Sequence, residues 1–128
     1  MHITDLNIRC CRFDASADSG IAMRAHVEVN ALEFLVYTLQ TGTGHSATMF
    51  GFSGRSALGA GHTAASSLRP FLIGRNPLDR EQIWHDWRRT DRWWHHLPIY
   101  IYGPVDCCLW LLGAQLAGPP FWRYIGGA

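Results

Sequence analysis

The sequence predicts an α+β fold: an antiparallel sheet of three strands, or four if one ambiguous segment joins it, followed by a bundle of three to four helices. Three observations support this prediction. The first half of the chain alternates apolar and polar residues, which is typical of half-buried strands. The second half repeats apolar residues at helical spacing. The 128 residues are 48% hydrophobic and only 16% charged, which is enough apolar material for the core of one domain.

The strands are predicted from alternation and turn residues. Residues 3–13 alternate cleanly and form the first predicted strand, and 14–20 are polar and form a loop. Residues 22–31 also alternate, so the pattern alone predicts a further strand there. Residues 34–41 and 45–50 are rich in β-branched and aromatic side chains and are joined by a Thr-Gly-Thr-Gly turn, which predicts a hairpin.

The helices are predicted from apolar spacing and from helix-ending residues. The first covers about 57–68, and Pro70 should end or kink it. Asn76-Pro77 should begin the second helix, since Asn caps free amides and Pro lacks one. The third covers about 104–117, and a short turn follows. The predicted buried stripes are Ile83, Trp84, Trp87 and Trp94 on the second helix, and Val105, Cys108, Leu109, Leu112 and Leu116 on the third.

Charge and cysteine content exclude several functions. All 11 basic residues are Arg, which excludes lysine chemistry such as Schiff-base formation. A net charge of +1 argues against a nucleic-acid partner. No signal peptide is visible, so we expect a cytoplasmic protein. The composition, rich in Arg, Ala and Gly, fits a bacterial gene. The third helix contains Asp106 and is shorter than a bilayer requires, so we expect a core helix and no membrane association. The pairs Cys10-Cys11 and Cys107-Cys108 do not have metal-site spacing and should be free, buried thiols.

Candidate chemical sites found by residue type alone are weak. His85, His95 and His96 lie among tryptophans and leave open a haem- or metal-binding helical protein, but no pair of them has i, i+4 spacing. Arg88 to Arg92 resembles a basic patch, although its acidic neighbours favour a solvated helix face. Ser53 and Ser56 have no obvious His or Asp partner, and the acidic residues form no evident Mg²⁺ set, so no catalytic or metal residue is predicted in this chain.

Four segments together carry a family resemblance. They are Leu68–Pro77 (LRPFLIGRNP), Ile83–His85 (IWH), Val105–Trp110 (VDCCLW) and Ala117–Gly127 (AGPPFWRYIGG). This combination resembles the N-terminal capping domain of the enolase superfamily, in the mandelate racemase and muconate lactonizing enzyme branch. The resemblance covers roughly 3–127 and is strongest from Leu68 onward. It also places 22–31 in the first capping loop rather than in a strand, so both interpretations of that segment stay open.

The sequence departs from the usual signature at several positions. In the family helix, an Asp and two Lys stand where this chain has Leu111, Gly113 and Gln115. An acidic residue common at the end of the third strand is replaced around Met49-Phe50. The polar family residues make structural contacts, so we expect the third helix to pack differently here.

The resemblance implies a division of labour. In such enzymes a separate (β/α) barrel holds Mg²⁺ and the Lys or His groups that remove a proton α to a carboxylate. The capping domain closes over that site and excludes water. We therefore expect one capping domain over 1–128, with the sheet and capping loops in 1–54 and the helices in 55–128. The barrel is absent, so the chain alone should be inactive, and Mg²⁺ is implied only for the missing barrel.

The resemblance also indicates which residues have which role. In the first capping loop, Arg24 and His26 are candidates for binding carboxylate or hydroxyl groups of a substrate. Candidate substrate-contacting residues of the second loop are Met49, Phe50, Phe52 and Arg55. Signature residues with structural roles are Asp106, Trp110, Gly118, Pro120, Gly126 and Gly127.

These observations predict the specificity domain of a Mg²⁺-dependent acid-sugar dehydratase, racemase or cycloisomerase. Its partner would be a catalytic barrel, in cis or in trans, and it would meet a small carboxylic or sugar acid only when paired with that barrel. The alternative is a stand-alone binding or interaction module that reuses the fold without catalysis. An apolar face including Phe50, Phe52, Trp122 and Tyr124 should be exposed where the barrel would lie, so we also expect self-association.

Overall fold

The computed structural model describes residues 1–14, 31–52, 57–90, 97 and 99–127, of which 13, 14, 31, 32 and 52 are described by their backbone alone. The strands are β1 (Ile3–Asp14), β2 (Ala31–Thr41) and β3 (Ser46–Phe52). The helices are α1 (Ala57–Leu72), α2 (Arg80–Thr90), α3 (Ile99–Ala117) and α4 (Phe121–Tyr124). The predicted α+β class is confirmed. The ambiguous segment lies outside the described residues, apart from the first residue of β2.

The three strands form one antiparallel sheet in the order β1-β2-β3. Leu6 pairs with Leu39, and Tyr37 pairs with both Ile8 and Met49 on the face that the helices cover. The predicted hairpin between β2 and β3 is confirmed. In its turn, the amide of Gly44 donates a hydrogen bond of 3.1 Å to the carbonyl of Thr41. Gly44 has a φ of 84°, a backbone conformation that favours glycine.

One hydrophobic core lies between the inner sheet face and the helices. α1 packs on β1, and α3 packs on β2 and β3. Trp87 of α2 stacks on Tyr102 of α3 with ring centroids 5.7 Å apart, and both rings are about 1% exposed. The other large, fully buried side chains are Ile3, Leu35, Tyr37, Leu39, Leu68, Leu72, Ile83, Ile101, Leu109 and Leu112.

The first two helix boundaries differ from the prediction. α1 continues through Pro70 to Leu72, because burial of Leu72 in the core offsets the helical hydrogen bond that Pro70 cannot donate. The chain then turns at Gly74, whose φ is 86°. Asn76 does not cap α2: its side chain accepts from the amide of residue 78 over 3.2 Å and forms a turn. α2 begins at Arg80 instead, after Asp79, whose carbonyl accepts the first helical hydrogen bond.

The third helix is longer than predicted. It begins at Ile99, so Pro104 lies inside it, buried against Gly51 of β3. At 19 residues α3 is long and apolar enough, by length and composition, to cross a membrane, yet half of the apolar window is buried inside the fold, as in a core helix. Four of the five predicted core residues on α3 are buried, whereas Leu116, in the last turn of the helix, is 40% exposed.

The cysteine prediction is partly wrong. All four cysteines are free, but only Cys108 is buried, where its thiol donates to the carbonyl of Ala47 over 3.6 Å. Cys10 is exposed, since it lies on a part of β1 that the helices do not cover. Burial raises the pKa of the Cys108 thiol to about 12, so this group is neutral at physiological pH.

Candidate functional site

Strand register places the strand ends that flank both predicted capping loops at one end of the sheet. Asp14 at the end of β1 pairs with Ala31 at the start of β2, and Phe34 of β2 pairs with Phe52 at the end of β3. The chain therefore leaves the sheet twice and re-enters it once at the same end. We call this region the loop end, defined by Asp14, the first residues of β2 and the last residues of β3. The opposite end contains the hairpin turn at Gly44.

A carboxylate fixes the loop end to the first helix. Oε2 of Glu33 accepts a hydrogen bond of 3.0 Å from the amide of Ala57, the first residue of α1. A negative charge at this position satisfies a free amide and favours the positive end of the helix dipole. Oε1 of the same carboxylate lies 4.0 Å from Nη1 of Arg12 on β1. Glu33 thus joins β1, β2 and α1 where the loops emerge.

Aromatic surface faces outward beside this end. Phe34 and Phe50 make an edge-to-face contact across β2 and β3, with centroids 6.2 Å apart. Phe50 is 70% exposed on the sheet face away from the helices. Val36, which pairs with Phe50, adds partly exposed apolar surface. Of the four residues predicted for an exposed apolar face, Phe50 lies here, Trp122 and Tyr124 lie on α4, and the side chain of Phe52 is outside the described part of the chain.

The second-loop candidates divide between the two faces of the sheet. Met49 points inward, pairs with Tyr37 and packs against the core, so its described contacts are with this chain's own interior. Gly51 allows the close approach of Pro104, which fixes the end of β3 against α3. Phe50 points outward, as described above. The role of Met49 and Phe50 in contacting substrate stays a prediction.

Several other predicted residues lie outside the described part of the chain. These are Arg24, His26 and Arg55, together with the side chain of Phe52; Ser53, Ser56, Trp94, His95 and His96 are also outside it. His85 lies exposed on α2. Among the described residues, no group of three or more His, Cys, Asp or Glu side chains is placed to hold a metal ion. The described loop end supplies aromatic surface and a helix cap, and no acid–base pair.

Away from the loop end, Trp110 of α3 and Tyr124 of α4 form a cluster with Arg80 of α2. The guanidinium of Arg80 lies 4.0 Å from the ring centroid of Trp110, and its Nη1 donates to Oη of Tyr124 over 3.0 Å. Tyr124 also contacts Trp110 edge-to-face, which leaves it half-buried, whereas its neighbour Trp122 is 48% exposed. We call Arg80, Trp110 and Tyr124 the Arg80 cluster; it joins α2, α3 and α4.

Two departures from the family signature explain local packing. A Cβ on Gly113 would lie 2.6 Å from Oη of Tyr124 and 2.8 Å from Nη1 of Arg80, so glycine makes room for the Arg80 cluster. Nε2 of Gln115 donates to the carbonyl of Ser46 over 2.9 Å and ties α3 to β3. Sequence reasoning missed Arg80, although the glycine at 113 was a signal that something approaches α3 closely there.

The remaining signature residues shape the end of the chain. Gly118 and Gly126 have φ values of 95° and 96°, which favour glycine where α3 and α4 end. Pro120 precedes the first turn of α4. A Cβ on Gly127 would lie 2.5 Å from the carbonyl oxygen of Trp122, so the backbone passes close to α4. Asp106, the last of the signature residues, is half-buried on α3, and burial raises the pKa of its carboxyl group. The structural roles of these positions stay predictions.

No family model matches this chain. In sequence, it is 40% identical over 60 residues to the D-galactonate dehydratase family member RspA of Halomonas elongata and 36% identical over 62 residues to that of Cellvibrio japonicus. These matches cover 45% and 47% of the chain, but only 15% of each relative. The chain therefore aligns with a small part of these proteins.

In structure, the similarity extends over nearly the whole chain. A member of the enolase superfamily from Polaromonas sp. JS666 superposes on 100% of the chain with a TM-score of 0.83 and 20% identity. L-talarate dehydratase from the same organism, solved with Mg and L-glucarate, superposes on 98% with a TM-score of 0.75 and 25% identity. The chain corresponds to 34% and 35% of these two proteins.

Proposed function

Because the chain has the fold of the N-terminal capping domain of the enolase superfamily, in the mandelate racemase and muconate lactonizing enzyme branch, we propose that it caps the substrate site of an acid-sugar dehydratase, racemase or cycloisomerase. The observation that carries this is the common loop end. The described chain leaves the sheet there after Asp14 and again after Phe52, beside exposed aromatic surface. Two loops anchored at one end of a rigid sheet suit a lid over a site on another domain.

The chemistry of the proposed reaction belongs to a partner barrel. Mg²⁺, where bound, would stabilise the enediolate formed when a proton is removed α to a carboxylate. The described residues of this chain do not suit that ion, since they contain no cluster of three potential ligands. The capping domain instead excludes water, shapes the pocket and binds the remote part of the substrate.

Arg24 and His26 are the proposed substrate-binding groups of the first loop. A guanidinium binds a carboxylate through two parallel hydrogen bonds, and an imidazole donates to a hydroxyl. Phe50, Phe52 and Arg55 are proposed to line the pocket from the second loop, with Met49 supporting them from the core side. The barrel partner, in cis or in trans, and a cytoplasmic location are parts of the same proposal.

A domain exchange tests this function. Residues 1–127 would replace the corresponding domain of L-talarate dehydratase, and the chimera would be assayed with Mg²⁺ against a panel of acid sugars. We expect turnover with an altered substrate preference, and none from the 128-residue chain alone. Arg24→Ala and His26→Ala should raise KM in the chimera, whereas Arg89→Ala, at an exposed position on α2, should leave it unchanged.

Two outcomes would contradict the proposal. One is turnover of a hydroxy acid by the isolated 128-residue chain. The other is a folded chimera in which the loop variants behave like Arg89→Ala, which would favour the alternative of a stand-alone binding module. Circular dichroism on each variant separates loss of binding from loss of fold.

A further inference from the structure

The outer edge of β3 presents backbone groups that β2 does not use. The amide of Thr41 donates to the carbonyl of His45 over 3.0 Å, so these residues form a hydrogen-bonded pair where the hairpin closes. Hydrogen-bonded and other pairs alternate along an antiparallel ladder, so the N–H and C=O groups of Thr48 and Phe50 point away from β2. Both residues are exposed, and these groups have no hydrogen-bond partner among the residues that the structure describes.

The residue types of β3 do not protect this edge. Natural edge strands are shielded from further pairing by charged residues, prolines or bulges. Ser46–Phe52 contains no charged residue and no proline, and it pairs with β2 without a register shift. The other edge strand, β1, carries Asp5, Arg9 and Arg12, has a register shift near its start, and bonds through the backbone of Ile3 to the loop after α1. β3 is therefore the edge suited to the addition of a strand.

One flank of α3 places apolar side chains beside this edge. α3 contacts β3 through Pro104, which lies against Gly51, and through Cys108. At about 100° per residue, Cys107 and Leu111 lie to one side of this contact line, opposite the α3 residues that enter the core, and both are only partly buried. Because β3 is the last strand of the sheet, this flank extends under the space beside its free edge.

The region has no charge to receive a charged ligand. We call the free edge of β3, together with Cys107 and Leu111, the β3 groove. β3 contains no charged residue, and the single charged residue of α3, Asp106, lines the cavity on the side toward α2. A charged side chain that entered the groove would lose hydration without meeting an opposite charge from either element. The groove therefore suits an uncharged chain that supplies its own backbone donors and acceptors.

A second copy of this chain does not fit the groove. A strand added beside β3 lies about 4.8 Å from it. A second β3 paired antiparallel would bring its own α3 to the same face of the joined sheet, because α3 packs on β3. Two packed helices need about 8–10 Å between their axes, so helices beneath neighbouring strands would overlap. The occupant is therefore a strand that carries no helix on that face.

We propose that the β3 groove binds an extended, uncharged segment of a partner protein by strand addition. The backbone of this segment pairs with the free groups of Thr48 and Phe50, and its alternate side chains lie against Cys107 and Leu111. In this mode of recognition the main-chain hydrogen bonds supply affinity, and the surface beneath alternate side chains supplies selectivity. Small apolar side chains such as valine match the flank of α3. The site is independent of the proposed capping role.

Peptide titration of the 128-residue protein tests the site. Amide NMR spectra would be followed with the blocked peptide acetyl-Thr-Val-Thr-Val-Thr-amide. One control peptide has aspartate in place of both valines, and the other has every amide N-methylated and so donates no hydrogen bond. We expect saturable shifts confined to β3 and the flank of α3, with binding at least about tenfold weaker for each control. Hydrogen exchange at the amides of Thr48 and Phe50 should slow only when the first peptide is bound.

Variants separate binding from fold. Thr48→Pro removes a free donor without removing a hydrogen bond to β2, and edge strands tolerate proline, so peptide affinity should fall about tenfold while the fold is kept. Cys10→Pro makes the matched change at the outer edge of β1 and should leave affinity unchanged. Cys107→Asp, which adds a charge to the flank of α3, should also weaken binding and is the second test if Thr48→Pro does not fold. Circular dichroism checks each variant.

Four results would overturn the site. The first is slow exchange at the amides of Thr48 and Phe50 in the free protein, which would show that this chain or a second copy already covers the edge. The second is the absence of saturable shifts with the valine peptide. The third is equal binding of a control peptide, and the fourth is an affinity that neither Thr48→Pro nor Cys107→Asp changes. None of these depends on the barrel or on turnover, so failure here leaves the capping proposal untouched.

Discussion

Replacement of Gly113 by alanine should destabilise the protein although alanine is the better helix former. The added methyl group would lie 2.6 Å from Tyr124 Oη and 2.8 Å from Arg80 Nη1. Both atoms are at the ends of side chains, so they can move away. Movement breaks their mutual hydrogen bond of 3.0 Å and shifts Arg80 from its position 4.0 Å over Trp110.

The magnitude follows from three contributions. A hydrogen bond to a charged group contributes about 1.5–3 kcal/mol. An exposed cation–π contact contributes about 0.5–1 kcal/mol. In the opposite direction, alanine in place of glycine inside a helix stabilises the helix by about 1 kcal/mol. We therefore expect Gly113→Ala to lower the free energy of unfolding by roughly 1–3 kcal/mol, according to how much of the Arg80 cluster is lost.

The same helix supplies a matched control. A Cβ on Gly103 would meet nothing within 4 Å, so Gly103→Ala should gain helix propensity alone and stabilise α3 by about 0.5–1 kcal/mol. Urea unfolding followed by far-ultraviolet circular dichroism measures both, independently of changes in Trp110 fluorescence. In an Arg80→Ala background, the cost of Gly113→Ala should shrink by about 1 kcal/mol. Stabilisation of both glycine variants by the same amount would refute this packing.

Three further outcomes follow from named contacts. Glu33→Ala should remove the cap of α1 and cost about 1 kcal/mol in urea unfolding, with Glu33→Gln retaining part of the hydrogen bond. A disulfide reagent at neutral pH should modify exposed Cys10 quickly and Cys108 only on unfolding, because burial raises the pKa of Cys108 to about 12; Cys10→Ser should remove a fast phase. The pKa of Asp86 is lowered, chiefly because Arg75 donates a hydrogen bond to its carboxylate. The ionised carboxylate therefore stabilises the folded protein at pH values above the unfolded-state pKa, and this contribution is lost as the pH falls through the folded-state pKa. In Asp86→Asn, the free energy of unfolding should depend less on pH in the acidic range. An acidic pH dependence equal to that of the unmodified protein would contradict this.

The sheet was predictable because one face is buried. Every second residue of a strand must then be apolar and face the core, so alternation identifies the strands. The Thr-Gly-Thr-Gly turn sets the register of the β2–β3 hairpin. Helix boundaries were less predictable, because they depend on contacts between distant residues. Pro70 predicts the end of α1, yet the helix continues to Leu72 because that side chain is buried in the core. Pro104 signals a beginning, yet α3 starts earlier because Ile101 and Tyr102 are buried.

The candidate sites were predictable only in part. Alternation along β3 could have placed Met49 inward and Phe50 outward, but the family resemblance assigned both to the pocket wall. The Arg80 cluster joins residues 44 positions apart, and its formation depends on free space above Gly113. A cavity between α2 and α3 likewise forms only because Glu81 and Asp106, on two different helices, face the same space. Sequence spacing within one helix does not contain that information.

The anchoring of the loop end bears on how specificity and stability are distributed in this domain. Glu33 holds the first turn of α1 to the start of β2, and Pro104 holds the end of β3 to α3. These contacts belong to the core and do not use the proposed substrate-binding residues Arg24 and His26. We therefore expect loop substitutions to alter substrate preference while leaving the free energy of unfolding nearly unchanged, because the anchoring contacts stay intact. Substitutions at Glu33 or Pro104 should instead lower the free energy of unfolding, because these residues hold the ends of β2 and β3 to the helices.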